Sequence, residues 1–99
     1  MSAMAFVSIT PLGEGESVSE YVARAVKVIK NSGLEWRLTP MGTIIEGDKP
    51  SDVLGVINAA VEELGDCNRI SIAIKMDYRR NRETGMSRKV ESVMEKIDL

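Results

Sequence analysis

The stretch LEWRLTPMGTIIEG, residues 34–47, governs how the rest of the chain is read. Leu34, Trp36 and Leu38 alternate with Glu35, Arg37 and Thr39, a period of two that makes one strand face apolar and the other polar. Pro40-Met41-Gly42 breaks the run. Proline presets φ at the first central position and glycine accepts a positive φ, so the spacing predicts a three-residue hairpin with a local bulge. Residues 43–46 form the return strand, with Ile44 and Glu46 on one face and Thr43 and Ile45 on the other. A carboxylate thus closes a strand that begins at a Met-Gly turn.

On the N-terminal side, residues 4–10 read as a strand that places Ala5, Val7 and Ile9 on one face and Phe6, Ser8 and Thr10 on the other; Pro11 stops it. Ser17 followed by Glu20 has the form of a capping box, and Val18, Val22, Ala25, Val26 and Ile29 recur at helical spacing up to about residue 32, where Gly33 ends the helix. After the hairpin, Pro50 or Ser51 opens a second helix carrying Val53, Leu54, Ile57, Ala60, Val61 and Leu64, closed by Gly65. Residues 69–77 form the last strand, with Ile70, Ile72, Ile74 and Met76 expected to face the core. A charged connection, residues 78–85, leads to a terminal helix striped by Met86, Val90, Val93 and Ile97.

The order strand, helix, strand, strand, helix, strand, plus a C-terminal helix, is the α+β plan known as ferredoxin-like: a βαββαβ sandwich with a four-stranded antiparallel sheet. Right-handed crossovers put the first two helices on one sheet face. The opposite face is expected to stay open and to carry Phe6, Ser8, Thr10, Glu35, Arg37, Thr39, Ile44, Glu46, Ser71, Ala73 and Lys75. That mixed set suits a second subunit or a small ligand, with a plainly solvated face as the alternative.

Ninety-nine residues are read as a single domain, 1–99, of a size at which oligomerisation helps to bury surface. With 43% hydrophobic and 28% charged residues and a net charge of -2, the composition gives no bulk attraction to nucleic acid or to an anionic membrane. No apolar run reaches membrane-spanning length and no signal-like N-terminal segment is seen, so a cytoplasmic protein is expected. The lone cysteine, Cys67, fits a reducing compartment. The chain contains no histidine, which excludes Ser-His-Asp and Cys-His catalysis and histidine-bound zinc. No acidic loop of calcium-binding spacing is present, and neither a metal nor a cofactor is implied.

Several residues stand out as candidates. Glu46, with Ser8, Thr10 and Thr43 in the same sheet, offers an acceptor-only carboxylate and hydroxyls that both donate and accept, a set that matches the polar edge of an aminopyrimidine. Alternatively, Glu46 pairs with Lys75 or Arg37 across the sheet. Met41 can lie against an aromatic ring through its polarizable thioether, or serve as a surface or subunit contact. The loop of residues 11–16 precedes a helix N-terminus, but Glu14 and Glu16 would repel phosphate, and an acylphosphatase-like hydrolase would want an arginine there. The one basic cluster, residues 75–82, lacks the aromatic platforms of RNA-binding versions of this fold and reads as a solvated turn or an intersubunit salt bridge involving Asp77 and Arg79.

Taken together, Ile9-Thr10-Pro11-Leu12-Gly13, Ser17-Val18-Ser19-Glu20-Tyr21-Val22, Thr39-Pro40-Met41-Gly42-Thr43, Ile45-Glu46-Gly47 and Lys75-Met76-Asp77-Tyr78-Arg79-Arg80 resemble the small thiamine-binding protein family over nearly the whole chain. The resemblance implies a ferredoxin-like protomer, assembled as a homodimer or homotetramer, that binds thiamine or its hydroxymethylpyrimidine part without catalysis. Carried over residue by residue, it implies that Met41, Gly42, Thr43 and Glu46 lie at or beside the ligand pocket, with Ser19 within reach from the first helix and Asp77 and Arg79 serving the last strand and its subunit contacts. The family often has two acidic residues and an arginine after its last strand, whereas this chain has Asp77-Tyr78-Arg79. The expected function is therefore a non-catalytic oligomeric binder of thiamine or a related pyrimidine. The rival is a structural or regulatory module whose open face meets only other protein chains.

Overall fold

Ten residues, Ser2–Pro11, form β1, the central strand of the computed structural model, which describes residues 1–81 and 85–98. The other elements are α1 (Ser19–Lys30), β2 (Glu35–Thr39), β3 (Gly42–Gly47), α2 (Pro50–Glu63), β4 (Ile70–Arg79) and α3 (Met86–Ile97). The sheet is antiparallel with strand order β2-β3-β1-β4. This is the expected α+β, ferredoxin-like arrangement with an added helix. Part of the connection between β4 and α3, including Arg82 of the basic run, lies outside the described residues.

The alternation read from the sequence fixes the faces. Ala3, Ala5, Val7 and Ile9 of β1 and Ile45 of β3 are buried on the side covered by α1 and α2, where Ala25, Ile29, Val53, Ile57, Ala60 and Leu64 complete the core. The β1–β4 pairs Phe6↔Lys75, Ser8↔Ala73 and Thr10↔Ser71 and the β2–β3 pairs Glu35↔Glu46 and Arg37↔Ile44 put those residues together on the other face. The open-face set expected from the sequence is thus recovered in register. Across the two helices, Arg24 of α1 donates to both carboxylate oxygens of Asp66 at 3.0 Å and to the Glu63 carbonyl at 2.7 Å. It joins α1 to the C-terminal end of α2, where a cation complements the exposed carbonyls.

Several local expectations are corrected. The hairpin loop has two residues, Pro40 and Met41, since Thr39 pairs directly with Gly42, and Gly42 does not have a positive φ. The Thr39 hydroxyl closes the turn instead: it donates to the Gly42 carbonyl (2.8 Å) and accepts from the Met41 and Gly42 amides (3.3 and 3.2 Å). Gly42 is needed for space rather than for φ, because a Cβ there would lie 2.6 Å from Cζ of Phe6 and 2.7 Å from the Val7 carbonyl oxygen. At α1 the N-cap is Val18, with no side-chain cap, so Ser17 and Glu20 form no capping box; these residues are exposed, and water can accept from the first-turn amides.

Leu54 of α2 is exposed rather than part of the core. Ile72 and Ile74, expected to face the core, remain 43% and 44% exposed. They point to the helix side, but α1 and α2 pack over β1, β2 and β3 and leave the middle of β4 exposed, while Ile70 and Met76 pack against the core as expected. The terminal helix behaves likewise beyond Met86, which is buried, whereas Val90, Val93, Met94 and Ile97 are exposed.

Substituting Gly42→Ala should therefore destabilise the fold by about 1–3 kcal/mol, as overpacking does when the neighbour includes backbone. Urea unfolding of Gly42→Ala alone and combined with Phe6→Leu tests this. The double variant should regain only part of the loss, because the Val7 carbonyl stays in place.

Candidate functional site

The ladder between β1 and β3 stops at Val7↔Thr43, whereas the ladder between β1 and β4 continues to Pro11↔Ile70. The cause is local: Pro40 has no amide to donate and turns the hairpin, so β3 cannot accompany β1 any further. Beyond Val7, β1 faces a notch on its β3 side rather than a strand. The notch is a cavity of about 180 Å³. Ser8, Thr10, Thr39 and Thr43 line it from the strands, Thr43 on the helix side and the other three at the open-face rim, Val22, Ala25, Val26 and Ile29 of α1 form the roof, and Leu38, Pro40, Met41 and Gly42 make the lip.

The chemistry of this enclosure is mixed in a useful way. The Ser8 and Thr10 hydroxyls lie 3.5 Å apart, in mutual hydrogen-bonding reach. Thr43 is buried, whereas Met41 is 79% exposed and Leu38 58% exposed at the mouth. An aromatic ring entering the notch would meet aliphatic carbon from α1 and hydroxyls from the strands, and the pocket contains no charged side chain. Apolar walls with a few aimed polar groups are the usual makeup of a small-molecule site.

Of the residues singled out from the sequence, Ser8, Thr10, Met41, Gly42 and Thr43 line this one cavity. Ser19 opens α1 and is exposed, one turn before Val22 of the roof. Glu46 sits at the far end of β3, where Oε2 accepts a hydrogen bond from the Met86 amide at 3.0 Å. It lies directly opposite Glu35 in the register, and the positive end of α3 offsets that like-charge pairing. Two further contacts hold the start of α3 to the open sheet face: Arg37 donates to the Ser87 hydroxyl at 3.1 Å, and Lys89 pairs with Asp77. Besides the cross-sheet partners read from the sequence, Glu46 thus has a helix terminus as a partner.

The roof residues and Leu38 were not read as site residues from the sequence, since an apolar stripe on a helix announces only a core. The signal was present in strand length: a long first strand cannot be fully paired by a hairpin that turns at Pro40. Glu14, read from the sequence as repelling phosphate, accepts from the Tyr21 hydroxyl at 3.2 Å, and that contact raises the phenol's pKa. Burial pushes the Cys67 thiol up, away from the reactive thiolate form. Among the described residues no cluster of carboxylates and cysteine could hold a metal ion, and no helix is long and apolar enough to cross a membrane.

With this geometry in view, comparison with known proteins is informative. The profile of the thiamine-binding protein family matches residues 5–94. The chain belongs to that family. Among its relatives, the UPF0045 protein Mb1933 of Mycobacterium bovis is 40% identical over 94 residues, covering 94% of this chain and 92% of the relative. The UPF0045 protein YqgV of Bacillus subtilis is 39% identical over 98 residues, covering 92% and 93%. The crystal structure of MJ1052 from Methanocaldococcus jannaschii superposes with a TM-score of 0.85 at 36% identity, over 95% of this chain and 97% of that one. A Thermotoga maritima protein provisionally assigned to thiamine biosynthesis or salvage shares the fold, with a TM-score of 0.80 at 18% identity, over 94% and 99%.

The anchoring of α3 has a pH consequence. The hydrogen bond from Lys89, followed by its charge, holds the Asp77 carboxyl below its ordinary value of 3.8. A carboxylate depressed by folding stabilises the folded state above its unfolded pKa, and the contribution disappears as pH falls through the lower folded value. NMR titration should show the amides of the first turn of α3 shifting only on that acid limb, and Lys89→Met should move the Asp77 titration upward toward 3.8.

Proposed function

We propose that this member of the family is a non-catalytic, self-associating binder of thiamine or of its hydroxymethylpyrimidine part, with the aminopyrimidine ring seated in the notch between β1, the hairpin turn and α1. The observation that carries the reading is the early end of the β1–β3 ladder beneath α1. It leaves strand backbone beside a space with aliphatic walls, with Thr43 on its helix side and the hydroxyl-bearing Ser8 and Thr10 at its open-face rim. An aminopyrimidine edge presents both donors and acceptors, and hydroxyls with free rotation satisfy either. The family's description as a thiamine-binding protein supports the same ligand class.

At about 180 Å³ the notch is smaller than the roughly 300–1,000 Å³ usual for ligand sites. One aromatic ring fits, and a thiazolium attached to it extends past Met41 into the mouth. There a second copy completes the enclosure. The ligand-contacting set we propose is Ser8, Thr10, Met41, Gly42 and Thr43. Ser19 and Glu46 act from outside the notch, Glu46 by fixing the start of α3. The sequence offers no histidine base and the notch no charged general acid or base, which fits binding without turnover.

Calorimetric titration with thiamine and with hydroxymethylpyrimidine tests this directly. Saturable heat for at least one is expected, and silence with both at millimolar ligand would remove the reading. Thr43→Val and Ser8→Ala should each weaken binding by about tenfold, the equivalent of about 1.4 kcal/mol for a lost hydrogen bond. Glu46→Ala should leave affinity within about twofold while loosening α3 by about 0.5–2 kcal/mol, the range for a lost helix cap.

The second reading, a module that binds only protein chains, draws on the exposed apolar side of α3, formed by Val90, Val93, Met94 and Ile97. It predicts that Val93→Glu changes the oligomeric mass while neither ligand gives heat.

A further inference from the structure

Beyond Val7, β1 keeps one edge against β4 and turns the other to the notch. Which backbone groups lie on that free edge follows from the ladder. In an antiparallel pair, residues that exchange hydrogen bonds with one neighbour alternate with residues whose amide and carbonyl point away from it. The Leu12 amide donates to the Arg69 carbonyl at 2.8 Å, one position past Pro11↔Ile70, and this fixes the phase. Thr10 and Ser8, in step with Leu12, therefore bond to β4 opposite Ser71 and Ala73. Val7 and Ile9 point the other way. The Val7 carbonyl agrees, its oxygen lying on the β3 side, 2.7 Å from where a Cβ on Gly42 would stand.

Val7 is matched by Thr43, but no strand among the described residues stands beside Ile9 on that edge. Pro11, next in phase, has a carbonyl but no amide hydrogen. Ile9 is thus the residue of β1 whose N–H and C=O both face the notch, which it lines. Its side chain is buried in the core, so the backbone edge is what it presents to the cavity.

We infer that the Ile9 main chain reads the ligand: its N–H donates to a ring nitrogen and its C=O accepts from the adjacent amino group. The heterocycle then takes the place of the strand residue that the hairpin withholds. This deepens the proposed function and rests on it. An extended peptide adds to an open sheet edge through the same backbone groups, here reduced to one donor and one acceptor. A backbone polar group shut away from water without a partner is costly, so a ligand that fills the notch has to satisfy both. The match is directional. An aminopyrimidine offers acceptor and donor side by side, whereas its oxo analogue offers a ring N–H beside a carbonyl, in the reverse order. Turning the oxo ring over restores the pairing only by exchanging the places of its other substituents. The ligand class is therefore a heterocycle with an amino group beside a ring nitrogen, chosen over the oxo form by backbone rather than by a side chain.

Amide hydrogen exchange followed by NMR tests this at single residues. In the free protein the Ile9 amide should exchange at least about tenfold faster than those of Ser8 and Thr10, which β4 holds. Saturating hydroxymethylpyrimidine should slow the Ile9 amide by about tenfold or more. Replacing the Ile9 amide by an ester, through an α-hydroxy acid at that position, removes the N–H and should weaken binding by about tenfold. The same replacement at Leu12 removes a bond to Arg69 and should lower stability in urea with affinity retained. The oxo analogue of hydroxymethylpyrimidine should bind at least about tenfold more weakly than the amino form. An Ile9 amide as protected as that of Ser8 in the free protein, or unchanged in exchange at saturating ligand, overturns the inference, as does equal affinity for the two analogues. Calorimetry separates the two levels: no heat from thiamine or hydroxymethylpyrimidine removes the binding reading itself, whereas heat with an indifferent Ile9 amide removes only this assignment.

Discussion

A mismatch in strand length organises this molecule. β1 spans ten residues and is matched fully by β4, but its other neighbour belongs to a hairpin that turns at Pro40 and can follow it only as far as Val7. A strand left half-paired beneath a helix must face something other than a strand. In this protein it faces a cavity bordered by Ser8, Thr10 and Thr43 and roofed by α1. The contact of Phe6 with Gly42 sets the depth of that cavity, because a side chain at position 42 would push the turn away from β1.

Charge placement then separates the two ends of the sheet. The notch is lined by no ionic side chain, whereas the opposite end gathers Glu35, Glu46, Arg37 and Asp77 around the first turn of α3. Glu46 illustrates how one residue type takes its role from position. At the end of β3 it meets a helix terminus, and the partial positive charge there makes a carboxylate useful without any ligand. The rest of α3 stands off the body, consistent with a radius of gyration of 14.8 Å, above the roughly 13 Å of a domain of this length.

Much of this was legible in the sequence. Element order, helix and strand types, and every residue of the open face follow from the periods of 2 and 3.6, because those periods are consequences of backbone geometry. Ser8, Thr10, Met41, Gly42 and Thr43 were found as candidates, and the structure brings them together. What escaped the sequence depends on neighbours distant along the chain. Whether Ile72 and Ile74 are covered is decided by where α1 and α2 come to rest. Gly42 was correctly singled out for the wrong reason, since only the folded position of Phe6 reveals the steric need. Glu46 and Ser19 look alike to Thr43 in sequence terms, yet strand direction carries Glu46 away from the turn.

Because the notch comes from where a ladder ends, its existence owes little to the bulk of the side chains around it. Val22, Val26, Leu38 and Met41 border it without belonging to the fully buried core. Exchanges among them can reshape the opening while the frame of proline, glycine and phenylalanine holds. A scaffold arranged in this way is open to evolutionary retuning, in which descendants change their molecular taste without refashioning the architecture.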